Sequence, residues 1–183
     1  MKIFGIDPGS HRTGYGCIET DGSRHRVLLS GAITTPALAS FPCKLLEIHR
    51  RLTLLIEMSR PDCVAIESLF HATNVRSALK LGHARGVAVL AAVEAGLPVV
   101  EYSPAEIKRA VVGYGRAEKH QVQQMMKLLL GLSAPPSPHD AADALAVALC
   151  HVHSMSSVRT TAALTAPRAK ALTSWRHYRP PRS

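Results

Sequence analysis

Four acidic side chains stand where their chemistry could be combined. Asp7 ends the apolar run Ile3-Phe4-Gly5-Ile6, Glu67 ends Cys63-Val64-Ala65-Ile66, and Asp140 and Asp143 bracket two alanines. Singly, each has an ordinary explanation. Asp7-Pro8-Gly9 reads as a turn, Asp140 suits the first turn of a helix, where the dipole favours negative charge, and Glu67 could be solvated. Two strand-end acids followed by a helical acid pair are a far less common set. Gathered together, four carboxylates would repel one another and raise their own pKa values unless cations compensated. All-oxygen ligation suits magnesium or manganese and not zinc. Two such ions, roughly 4 Å apart, would clamp a phosphodiester, one activating water and the other stabilising the departing 3′ oxygen.

The elements that must position these acids can be read from periodicity. Short β-rich runs at Ile3 to Ile6, Thr13 to Thr20 and about Val27 to Thr34, with a turn at Asp21-Gly22-Ser23, predict an antiparallel meander. From Cys43 to Met58, Leu45, Ile48, Leu52, Leu55 and Ile56 recur at helical spacing, with Lys44, Glu47, Arg50 and Arg51 between them. Arg60-Pro61 closes that helix, and the buried strand that follows delivers Glu67. A helix over about Val75 to Glu94 leads to a strand at Val99 to Tyr102, so strands and helices alternate and imply parallel crossovers. If the strands ending in Asp7 and Glu67 are parallel neighbours, both carboxylates emerge at one sheet edge.

Ser103-Pro104-Ala105-Glu106 is a capping box that starts another helix. A further helix spans about Glu118 to Leu130, and a last one begins near Ser137 and fades around Ser154. Asp140 and Asp143 share a face of it, and the alanines around them allow close packing on a sheet. From Met155 onward the periodicity is lost, which predicts one folded domain over 1–154 and a basic, flexible tail over 155–183.

A chain of 183 residues with 46% hydrophobic content supports one well-buried core. The formal net charge of +9 favours a polyanionic partner. No acid follows Asp143, and Arg159, Arg168, Lys170, Arg176, Arg179 and Arg182 leave only +3 for the rest of the chain. Those six charges serve either nucleic-acid binding or plain solubility. Cys17, Cys43, Cys63 and Cys150 lack metal-site spacing and read as small core residues in a reducing compartment. Neither a signal peptide nor a membrane span is expected, and the default is a soluble cytoplasmic protein.

Gly5-Ile6-Asp7-Pro8-Gly9 with Thr13-Gly14-Tyr15-Gly16, then Ile66-Glu67, then Asp140-Ala141-Ala142-Asp143-Ala144-Leu145 resembles the RuvC family of Holliday-junction resolvases. So do Ser77-Ala78-Leu79-Lys80-Leu81-Gly82, Ala84-Arg85-Gly86 and Ala117-Glu118-Lys119, and the match runs in order over about residues 1–153. The stretch after His153 carries no motif of the family.

The resemblance implies a ribonuclease-H-like α/β fold with a five-stranded mixed sheet flanked by helices. It implies a magnesium-dependent homodimer that nicks two opposing strands of four-way junction DNA, with the RuvA-RuvB branch-migration complex as a partner. Two-fold symmetry suits paired nicks. By the same resemblance Asp7, Glu67, Asp140 and Asp143 are catalytic and hold two magnesium ions, with manganese a substitute. Lys108 and Lys119 would contact phosphate and offset transition-state charge, Lys119 within the catalytic set. Phe70 would stack on a base, or else anchor the core. Arg76 and Lys80, one turn apart, line the DNA path or are simply solvated. His11 and His139 lie near the acids as candidates for proton transfer or as solvated residues.

Two other classes compete. A phosphate loop over residues 5–16, as in sugar-kinase and actin-like ATPases, would need a second domain that this length does not supply. A junction-binding protein without nuclease activity would not need all four acids. A ribonuclease-H-like enzyme acting on RNA or hybrids is nearer, and the extended motif match disfavours it.

Overall fold

The computed structural model describes residues 1–68 and 74–165, with side chains to residue 155. Three antiparallel strands open the chain, β1 (Lys2–Asp7), β2 (Arg12–Thr20) and β3 (His25–Thr34). They are followed by α1 (Phe41–Ser59), β4 (Cys63–Glu67), α2 (Val75–Glu94), β5 (Val99–Tyr102), α3 (Pro104–Val112), α4 (Lys119–Leu129) and α5 (His139–Thr165). The sheet order is β3-β2-β1-β4-β5, with β4 parallel to both β1 and β5. This is the five-stranded mixed sheet of the ribonuclease-H-like fold, flanked by helices as expected. Among the described residues no helix is long and apolar enough to cross a membrane.

Alternation along the strands divides the core in two. Phe4, Ile6, Cys17, Ile33, Val64 and Ile66 meet α1 and α2 through Ile48, Leu52, Ile56, Ala84, Ala88 and Ala91. On the other face Ile3, Ile18, Cys63 and Ala65 meet α5, with α3 and α4 packed beyond it. Where β1 and β2 pass under α5, that second face carries glycines in place of side chains. A Cβ on Gly5 would collide with the carbonyl oxygen of Ala144, and one on Gly14 with that of Asp140. Both glycines are therefore needed for α5 to lie against β1 and β2 at backbone range.

Local signals account for the element ends. Arg60, in left-handed backbone with φ 47°, closes α1, and the Asn74 side chain accepts from the Ser77 N–H at the start of α2. The expected capping box is present, since Ser103 N–H donates to Glu106 and Glu106 N–H donates to the Ser103 hydroxyl.

Three sequence expectations are corrected. α5 continues to Thr165, beyond Ser154, so loss of apolar periodicity did not end the helix. Lys44, read as part of the polar face of α1, is buried, because its stem runs under the loop bearing Ala37. Cys17, Cys63 and Cys150 are buried as expected, but Cys43 is exposed at the first turn of α1.

Candidate active site

Strand parity brings the first two acids together. Asp7 continues the face of Ile3 and Gly5, Glu67 continues that of Cys63 and Ala65, and Ile6 lies opposite Ile66 in the parallel ladder. Both carboxylates thus emerge side by side at the carboxyl end of adjacent strands, beneath the first turns of α5. Asp143 completes a group of three. Asp7, Glu67 and Asp143 line one open cleft of about 700 Å³ together with Lys108 from α3 and Lys119 from α4. Ser68, Ser103, Leu81, Ile107 and Val122 form part of its walls.

The electrostatics are those of crowded acids held out of water. Asp7 is pushed up to about 8, first by burial, then by the charges of Glu67 and Asp143, a side-chain hydrogen bond with Glu67, and the charge of Asp140. Burial also raises Glu67, against the hydrogen bond with Asp7 and the charges of Lys119 and Lys108, which act to lower it. Burial and crowding thus hold the Asp7–Glu67 pair toward its protonated form. Asp143 is raised by burial, while Lys119, whose Nζ lies 3.5 Å from Asp143 Oδ2, pulls it down. Lys119 in turn is raised, chiefly by the charge of Asp143.

Asp140 stands apart from this trio. Its Oδ2 forms an ion pair with Arg12, 3.3 Å from Nε, on the rim, and it does not line the cleft. The four acids come to one end of the sheet, and three of them share the cleft. Among the described residues no three His, Cys, Asp or Glu side chains converge into a finished coordination shell. The donor set nonetheless fits a hard divalent cation: the carboxylates are oxygen donors, burial raises all three, and the nearby lysines offset that only in part.

The remaining candidates divide by position. Lys108 is half-buried and Lys119 exposed, both on the cleft. Arg76 and Lys80 are exposed on the first turns of α2, and Lys80 borders a smaller cavity with His11. His139 is exposed at the start of α5, and its charge acts to lower the Asp143 carboxyl. Phe70 lies outside the described residues.

Sequence reasoning missed Arg12, Gly5 and Gly14 as parts of this site. Arg12 carries no pattern of its own. The glycines were visible as a motif, but their purpose appears only when α5 is seen resting on them.

The chain matches the family described as Crossover junction endodeoxyribonuclease RuvC over residues 3–151. A protein of that description from Alkaliphilus oremlandii is 54% identical over 153 residues, covering 84% of this chain and 93% of the relative. One from Pelobacter propionicus is 51% identical over 180 residues, covering 98% of this chain and all of the relative, so the similarity extends past His153. Among solved structures, Thermus thermophilus RuvC in complex with Holliday junction substrate superposes with a TM-score of 0.79 at 33% identity, covering 86% of this chain and 96% of that one.

Proposed function

The chain belongs to the RuvC family of crossover junction endodeoxyribonucleases, and from that premise we propose that its acid cleft is the catalytic centre for paired, symmetric nicking of four-way DNA junctions. The family acts in DNA recombination and repair by resolving Holliday junctions. The observation that carries the site assignment is the convergence of Asp7, Glu67 and Asp143 in one cleft with Lys108 and Lys119.

In this reading Asp7, Glu67, Asp140 and Asp143 hold magnesium, two ions in each active site, with manganese a substitute. When bound, such ions supply Lewis-acid activation of water and neutralise charge on the phosphodiester. The side chains do the rest. Asp7, Glu67 and Asp143 would hold such an ion in their deprotonated forms, and Asp140, paired with Arg12 on the rim, would stand at the edge of the same ligand set. Lys119 and Lys108 bind phosphate oxygens and offset the negative charge that develops during hydrolysis. Arg76 and Lys80 contact DNA along the approach to the cleft, and Phe70 is assigned a stacking contact with a base.

A homodimer is supported by α2. Val75, Leu79, Leu90 and Val93 are each about half exposed or more, and with Gly82 and Gly86 they fall on one stripe of that helix. Such an apolar stripe suits a second copy related by a two-fold axis, with the glycines allowing close approach. The nuclease unit is assigned to 1–154. The basic residues of 155–183 add electrostatic attraction for DNA, and the RuvA-RuvB branch-migration complex is the proposed partner. The protein works in the cytoplasm, beside its DNA.

The test is a labelled synthetic four-way junction incubated with purified protein, with and without magnesium, and the nicks mapped. Magnesium-dependent nicks at symmetric positions in opposing strands are expected. Equal cutting of a plain duplex of the same sequence would reduce the protein to a general nuclease.

A further inference from the structure

Beside the acid cleft lies a second cavity of about 150 Å³, lined by Ser10, His11, Ala39, Phe41, Lys44 and Lys80. The two are neighbours along the chain. The loop that brings Pro8 to the acid cleft brings Ser10 and His11 to the smaller cavity, and Leu81 and Lys80 are divided between the two in the same way.

The smaller cavity is built around a buried cation. Lys44 is only 6% exposed. Its Nζ donates to the Ala37 carbonyl oxygen at 3.2 Å and lies 3.4 Å from His11 Nδ1. An ammonium group can only donate, so Nδ1 accepts, and the neutral ring carries its hydrogen on Nε2 as a further donor. Lys80 Nζ lies 5.9 Å from the Phe41 ring centroid. The first turn of α1, which begins here, contains no acid, and its N-cap Ser40 makes no side-chain capping bond. Among the described residues no carboxylate pairs with His11, Lys44 or Lys80. Burying an ammonium group next to a helix N-terminus without a counter-charge is costly, and an anion would relieve that cost.

We propose that this cavity holds a backbone phosphate of the DNA other than the one being cut. The inference rests on the nuclease reading and adds to it a second, metal-free phosphate subsite. Lys44 and Lys80 supply the charge, and the His11 ring supplies a directed N–H. Held there, the strand is registered against Asp7 through the short loop that joins the two cavities. These are positioning contacts to phosphate and carry no sequence preference.

The test is equilibrium binding of the labelled junction to the full chain, without magnesium, over a salt series. Lys80→Gln and Lys44→Met should each weaken binding by about 3–10-fold and lower the slope of log K against log salt by about 0.9, as loss of one phosphate contact does. Arg24→Gln removes one exposed charge in the β2–β3 turn and should leave the slope unchanged. Lys80 is exposed, so its variant keeps the test valid if Lys44→Met melts early. Slopes that stay at the wild-type value in both lysine variants, or fall equally in Arg24→Gln, overturn the subsite. Inorganic phosphate that raises the wild-type melting temperature but not that of Lys44→Met, with junction slopes unchanged, assigns the cavity to a free anion and also overturns it. If the wild type does not bind the junction at all, the nuclease reading falls with it.

Discussion

The two faces of the sheet are built by opposite means. Toward α1 and α2 the strands present Phe4, Ile6, Ile33 and Ile66, and the helices answer with Ile48, Leu52 and Ile56, an aliphatic core of ordinary thickness. Toward α5 the strands present Gly5 and Gly14, and the helix rests against them at backbone range. Each face buries a hydrophobic cluster. At Gly5 and Gly14 the second face gives up side-chain bulk for proximity, and that proximity sets Asp143 over the strand-end acids. A repulsive acid cluster can persist at the end of the second face because buried hydrophobic clusters on both faces hold the sheet and helices together.

The comparison can be broken most severely at Gly5. Gly5→Ala adds one carbon against the backbone of α5 and should cost roughly 3 kcal/mol or more, because neither β1 nor α5 can yield alone. Denaturant unfolding checks this, and a cost near zero would show that α5 is free to shift.

The acid cluster gives the next effect, with the sign reversed. Asp7 keeps its proton to about pH 8 in the folded protein against 3.8 for the free group. The folded state therefore binds more protons than the unfolded state between those values, and stability falls as pH rises through that window. In metal-free protein the melting temperature should decline from pH 5 to pH 8. Asp7→Asn should flatten the decline and stabilise the protein at pH 8 by about 1–3 kcal/mol. Thermal melts across pH decide it, and a rise toward pH 8 would contradict the account.

Toward α1 and α2 the removal of one carbon should matter less. Ile48→Val should cost about 1 kcal/mol in unfolding measurements and leave junction nicking unchanged below the melting range. A cost equal to that of Gly5→Ala would erase the distinction between the faces. Smallest of all is the rim. Arg12→Gln removes a half-exposed partner of Asp140 and should change stability by less than about 0.5 kcal/mol. A larger loss in thermal melts would move Arg12 from the rim into the fold's essential contacts.

Much of this architecture was legible beforehand for a physical reason. The meander, the bounds of α2 at Val75 and Glu94, and the capping box at Ser103 all rest on local signals. The strand-end placement of Asp7 and Glu67 follows from short apolar runs, whose parity then fixes the face. Contacts between distant segments were not legible. Nothing near Lys44 announces that its stem lies under the Ala37 loop, and nothing near Asp140 announces Arg12. The extension of α5 to Thr165 escaped because an alanine- and threonine-rich stretch has no amphipathic pattern to read.

The most direct measurement compares wild type and Asp7→Asn on a labelled four-way junction, scoring binding and magnesium-dependent nicking in the same samples. Binding should survive the substitution while nicking falls by at least about 100-fold, on the order of what loss of a required catalytic group costs. Nicking at the wild-type rate by Asp7→Asn would show that the chemistry lies elsewhere.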